Sequence, residues 1–219
     1  MYVVLYAELN AIEELDRVVS EIVRVGGKVL SLTACFYEKP RTYSLVIGIE
    51  VDATKMNSVD ELVCTSETFK GASIVYLGEE LYSSPFLVAL KGFEEHYGVA
   101  GKVFLFHLGF TTGHEIAKSL TKLKLGGDEI LKRALLSYRG HGLGVPELML
   151  YSTLLIKACK VRVYENFECK GRESTEPTGH FFRGFLAGIL RVLWNVDVTV
   201  AEEKCIAKGD PYCEFVVSF

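Results

Sequence analysis

The chain has 219 residues, 49% of them hydrophobic and 24% charged, with a formal net charge of −4. That length and composition allow one large domain or two small ones with a sizeable core, and they exclude a disordered chain. Without a basic surplus there is no composition-level case for nucleic-acid binding, and the densest basic stretch, residues 118–127, reads as the solvated end of a helix.

Residues 2–8 (YVVLYAE) form a β-type run. Behind it, Ile12, Leu15, Val18, Val19, Ile22 and Val23 fall on one helical stripe, with Asn10 as the candidate N-cap and Gly26-Gly27 as the stop. KVLSLTACFYE and RTYSLVIGIEVD are two further strands reversed at K-P-R; a weaker helix over 58–69 and a last strand, ASIVYL, follow. The order β-α-β-β-α-β is the ferredoxin-like plan. In architecture this segment resembles an ACT-like regulatory module, which implies dimerisation or scaffolding; the loop ELNAIEE lacks the Pro-Gly or Asp-Gly pair of amino-acid-binding members.

Ser83-Ser84-Pro85 reads as a linker, so the expected domains are 1–82 and 83–219. The second half predicts a helix over 99–122, another over 128–138 closed by RGHGLG, and a hairpin of VPELMLYSTLLIK and KVRVYENFE turning near Ala158-Cys159. A helix over 179–194 and two final strands, VDVTVAEEKC and YCEFVVSF, complete it. No stretch is a secretory signal or long enough to span a membrane: residues 181–194 carry Arg183 and Arg191 and fall short of the roughly 18–20 apolar residues required. A cytoplasmic location follows as the expectation, and there the six cysteines are expected to be reduced unless metal-bound or redox-active.

Two helices carry G-x-x-x-G: Gly109 with Gly113, and Gly184 with Gly188. Each glycine costs roughly 1 kcal/mol of helix propensity relative to alanine, so close packing or a ligand floor must offset it. Aromatic residues flank both pairs: Phe104, Phe106 and Phe110, with His107 as a polar handle, and Phe181, Phe182, Phe185 and Trp194. Cys205 and Cys213 flank the K-G-D-P turn of AEEKCIAKGDPYCEF, which leaves open a metal site, a disulfide or two reduced thiols.

LFHLGFTTGHEIAKSL, YENFE, GHFFRGFLAGIL and VTVAEEKCIAKGDPYCEFVV, in that order and spacing, resemble the V4R (4-vinyl reductase) domain over residues from about 90 to 219. The resemblance implies an α/β fold related to the TRAPP vesicle-tethering subunits, with an antiparallel sheet and packed long helices, dimeric, around an apolar pocket. From the two glycine-bearing helices, Phe106, His107, Phe110, Phe181, Phe185 and Trp194 are the residues expected to line such a pocket. The resemblance also implies zinc, held in phenol-sensing members by a cysteine before the second G-x-x-x-G helix, a glutamate three residues before the hairpin, and both hairpin cysteines. Those positions are Glu202, Cys205 and Cys213 here, while Gly179 stands where the first cysteine would be. Either the site stays empty, or His180, water or Cys169 completes the set. No nucleotide fingerprint, catalytic triad or H-E-x-x-H is present, so the leading expectation is not an enzyme but a homodimeric sensor of a small hydrophobic or aromatic molecule. A TRAPP-like scaffold and an enzyme related to 4-vinyl reductase are the alternatives.

Overall fold

A computed structural model describes residues 2–38, 41–69, 72–78, 85–153 and 156–218. The chain divides into two compact units, Met1–Pro85 and Phe86–Phe219, both of mixed α and β structure with antiparallel sheets. Among the described residues no helix is long and apolar enough to cross a membrane.

In the first unit, β1 (Tyr2–Leu9), α1 (Leu15–Arg24), β2 (Lys28–Glu38), β3 (Arg41–Glu50), α2 (Met56–Thr65) and β4 (Ser73–Gly78) follow one another, and the strands lie in the order β2-β3-β1-β4. Alternation along β1 and β3 sends Val3, Leu5, Ala7, Leu9, Leu45, Ile47 and Ile49 to one face, where Val18 and Ile22 of α1 and Val59 and Leu62 of α2 cover them. The helical stripe is narrower than expected: Ile12 lies in a 3-10 turn and is exposed, and so is Val23. Asn10 does not cap the helix; Ala11 begins the turn with no side-chain bond. Gly26 does end α1, at φ +89°, where its N–H and that of Gly27 bond the carbonyls of Val23 and Ile22. The expected second helix stops at Thr65, and Glu67–Phe69 form a separate 3-10 turn.

In the second unit, α3 (Pro85–Tyr97), α4 (Val99–Thr121) and α5 (Gly127–Gly140) precede the sheet strands β5 (Val145–Ser152) and β6 (Ala158–Tyr164); α6 (His180–Trp194), β7 (Ala201–Lys204) and β8 (Cys213–Ser218) close the chain. The sheet order is β5-β6-β8-β7. Ser83 and Ser84 of the expected linker lie outside the described residues, and Pro85 already opens α3, a position where its missing N–H costs nothing. Two strand expectations are corrected. Cys159 is not at a turn: it lies in β6, buried and paired with Tyr151 and Val217. The residues after Tyr164 leave the sheet, because Glu165 takes φ +52° and the chain coils through a turn at Asn166–Lys170.

The two glycine pairs meet. A Cβ on Gly109 or Gly113 would collide with the carbonyl oxygens of Phe181 and Phe185, and one on Gly184 or Gly188 with those of Phe106 and Phe110. Four glycines therefore bring the α4 and α6 backbones into direct contact, and no gap separates the helices at that crossing. The core beside it is aromatic and aliphatic: Tyr138, Phe181, Phe182, Phe185, Leu186, Ile189 and Phe215 are all buried.

A buried thiol and carboxylate cluster as the candidate functional site

Four pieces of backbone converge beneath the start of α6. β7 carries Glu202 on its inward face, opposite Phe215 of β8. Cys205 directly follows β7, and from it the chain turns through Ile206–Lys208 and Gly209 at φ +95° before Cys213 opens β8. The K-G-D-P turn is braced from inside, since Asp210 accepts the backbone N–H of Cys205 at 2.9 Å and returns its own N–H to the Cys205 carbonyl at 3.2 Å. Cys169 comes from the turn after β6, its N–H bonded to the carbonyl of Asn166 at 3.0 Å.

The sulfurs of Cys169, Cys205 and Cys213 and a carboxylate oxygen of Glu202 all lie within 4.8 Å of one another, and all four residues are buried. Tetrahedral zinc thiolates, with metal–sulfur bonds of about 2.3 Å, place ligand atoms about 3.8 Å apart. Here Cys205 Sγ is 3.6 Å from Cys169 Sγ, and Cys169 Sγ is 3.9 Å from Glu202 Oε1. Donors surround the sulfurs. Thr178 Oγ1 donates to Cys169 Sγ at 3.2 Å, Asn166 Nδ2 to Cys169 at 3.5 Å and Cys213 at 3.7 Å, and the Ile206 N–H to Cys213 at 3.5 Å. Such a shell favours sulfur in its anionic form, the form that binds metal. Hydrogen bonds from Cys169 and Cys213 hold the Cys205 thiol well below its usual range, whereas the bonds that Cys169 gives away, together with burial, push its own thiol far up. Burial and the neighbouring Cys205 charge raise the Glu202 carboxyl to about 8. The four groups could hold a metal ion, and a divalent cation there would favour the ionised form of each.

Of the candidates named from sequence, the structure brings Glu202, Cys205, Cys213 and Cys169 together, and it sets His180 apart from them. The His180 ring turns to α3, with Nε2 3.4 Å from Glu94 Oε1 and Nδ1 against Arg183. Glu94 is shared with Arg172 at 2.9 Å and Lys102 at 3.6 Å, so the histidine belongs to an ion network rather than to the sulfur cluster. A side chain at Gly179 would displace its neighbours: a Cβ would lie 2.7 Å from Phe215 Cζ and 2.9 Å from Glu202 Oε2. Its N–H instead bonds Glu202 Oε2 at 2.8 Å. Glu168, next to Cys169, accepts the N–H groups of Phe181 and Phe182 at 2.7 and 3.2 Å and so supplies the cap that Gly179 lacks, while burial raises its carboxyl to about 8. The cluster and the first turn of α6 are tied together by two carboxylates. Asn166, Thr178 and Glu168 escaped sequence reasoning, because a polar residue in a turn shows its partner only once the chain folds.

The expected pocket residues differ in exposure. Phe181, Phe185 and Trp194 are buried, and Trp194 Nε1 bonds Tyr151 Oη at 3.2 Å. Phe106 and Phe110 pack part-buried against the same core, and His107 is exposed. Of the remaining cysteines, Cys35 and Cys64 are exposed on the first unit, and burial lifts the Cys159 thiol to about 12, which leaves it inert.

The cysteine cluster and its hairpin lie in a stretch with known relatives. Residues 159–219 match the V4R domain. One uncharacterized protein of Methanocaldococcus jannaschii is 48% identical over 58 residues, 26% of this chain and 25% of that protein. A second uncharacterized protein of the same organism is 30% identical over 81 residues, 36% of this chain and 47% of its own length. The chain spans about a quarter and about half of these two curated relatives. Among solved structures, the phenol-responsive sensory domain of the transcription activator PoxR, with phenol, superposes with a TM-score of 0.56 at 16% identity, covering 76% of this chain and 90% of that one. At such identity the likeness is one of fold. All four cluster residues fall within the V4R-matching segment.

Proposed function

We propose that this chain is a V4R-type regulatory module: a sensor of a small apolar or aromatic molecule whose C-terminal unit is locked by a thiophilic divalent cation, zinc first among them, on Cys169, Glu202, Cys205 and Cys213. The observation that carries the metal reading is the burial of three thiols and a carboxylate within one coordination sphere, with hydroxyl and amide donors directed at the sulfurs. Four protein ligands and no exposed face describe a structural rather than a catalytic site. Bound there, the ion would join β7, β8 and the turn after β6 beneath α6.

The sensing reading draws on the likeness to PoxR's phenol-responsive domain. Phe106, His107, Phe110, Phe181, Phe185 and Trp194 stay as the proposed contacts, and the glycine crossing requires a ligand to enter beside the α4–α6 contact rather than through it. The first unit is proposed as a ferredoxin-like, ACT-like module for dimerisation, a reading supported by its β2-β3-β1-β4 order. A homodimeric scaffold is the second reading, favoured by the direct backbone contact of α4 and α6. Native mass spectrometry of freshly purified protein, with and without chelator, tests all of these. A zinc mass lost on chelation and an organic mass of aromatic character support the sensor; a metal-bearing dimer with no ligand, whose melting temperature no phenol raises, overturns it in favour of the scaffold.

A further inference from the structure

Asn166 is fully buried in the turn that carries Cys169, and it is bonded on every side. Its backbone carbonyl takes the Cys169 N–H at 3.0 Å and the Lys170 N–H at 2.9 Å. Its side-chain Nδ2 reaches two cluster sulfurs, Cys169 at 3.5 Å and Cys213 at 3.7 Å. Its Oδ1 accepts the phenolic O–H of Tyr138 at 3.0 Å. An amide has a donor end and an acceptor end. A neighbour that can donate at the oxygen therefore decides which end meets the sulfurs, and here it is the donor end, the one a thiolate attracts.

Tyr138 has no freedom to give this bond up. It lies in α5, buried, with Phe182 edge-on to its ring at 4.9 Å and Phe185 at 5.2 Å, both from α6. Nothing in the cluster itself needs a tyrosine in the aromatic core. We infer that Asn166 and Tyr138 are positioning residues of the metal site: Tyr138 orients the Asn166 carboxamide, and Asn166 holds Cys169 and Cys213 in the geometry that binds a soft divalent cation. The inference rests on the metal reading above. Its consequence is a physical connection between the cation and the aromatic core of α5 and α6, running through one side chain.

The test uses the full chain, cleared of metal by chelator, then titrated with cobalt(II) and with zinc(II) against a competing chromophoric chelator. Tyr138→Phe removes a single oxygen and keeps the ring; Asn166→Asp keeps the shape and turns the donor into an acceptor. Outer-shell partners of this kind are worth about 10–100-fold in metal affinity. The expected result is a zinc affinity lower by about that factor in Tyr138→Phe, a larger loss in Asn166→Asp, and an altered sulfur-to-cobalt charge-transfer band in both, with unchanged circular dichroism. Both variants binding zinc as wild type does, while wild type loads normally, overturns this inference alone. A fall in melting temperature with the cobalt spectrum and zinc affinity of wild type also overturns it, since the bond would then only satisfy two buried polar groups. Wild type taking up neither cation overturns the metal reading and this inference with it.

Discussion

The two units bury different things. In the first, the core cluster is aliphatic apart from Phe69, supplied by alternating strand positions and one stripe of each helix. In the second, the buried polar and charged side chains gather: Glu94, Asn166, Glu168, Thr178, His180, Glu202 and Glu214, beside four buried cysteines. Burying a polar group costs roughly 1–3 kcal/mol when it is left unpaired, so a concentration of such groups in one unit marks where the fold spends stability on something other than folding. The first unit teaches how little a fold needs beyond pattern, the second what a site needs beyond it.

The largest break in that comparison should come from the cluster. Cys205→Ser, or chelation of the wild-type chain, is expected to lower the melting transition of the second unit by several kcal/mol, given that structural zinc contributes on the order of 10 kcal/mol in small domains, and to leave the first unit's transition in place. Differential scanning calorimetry of the full chain reads both. Because Cys169 and Glu202 must lose protons to bind, zinc affinity should also rise with pH, most steeply below about 8 where Glu202 is still protonated in the metal-free protein. Ile47→Ala works from the other side: the side chain is fully buried in the first unit, so a loss of about 2–5 kcal/mol is expected in urea unfolding, with metal content unchanged.

Gly184→Ala probes the helix crossing. The added methyl meets the Phe106 carbonyl, backbone that cannot turn aside, so a destabilisation at the upper end of about 1–3 kcal/mol is expected in the same urea experiment. The smallest effect is electrostatic. Burial, then the Arg183 charge, lowers His180 from 6.5 to about 4, against the pull of Glu94 and with Lys102 nearby. As pH falls the unfolded chain protonates first, so this contribution to stability is complete above about 6.5 and is lost progressively towards 4. His180→Gln should flatten that part of the curve of melting temperature against pH.

Much of this was legible beforehand. The helices over 99–122, 128–138 and 179–194 end within a residue or two of α4, α5 and α6, because apolar period and glycine stops are local properties that each segment carries alone. The C-terminal hairpin and three of its metal-binding candidates were equally local, since Glu202, Cys205 and Cys213 sit within one strand-turn-strand. What failed was also local in cause: the run after Tyr164 looks like strand by composition, but a positive φ at Glu165 turns it away. Sequence by itself determined the element order from β1 to β4 and from α4 to β8, the contact-seeking glycine pairs and the chemical character of the hairpin. Only the tertiary structure decided that the glycines pair backbone to backbone, that His180 faces Glu94, and that Cys169, 36 residues before Cys205, completes the cluster under an amide held by Tyr138. Distances across the chain are set by packing, and packing is a property of all the elements at once.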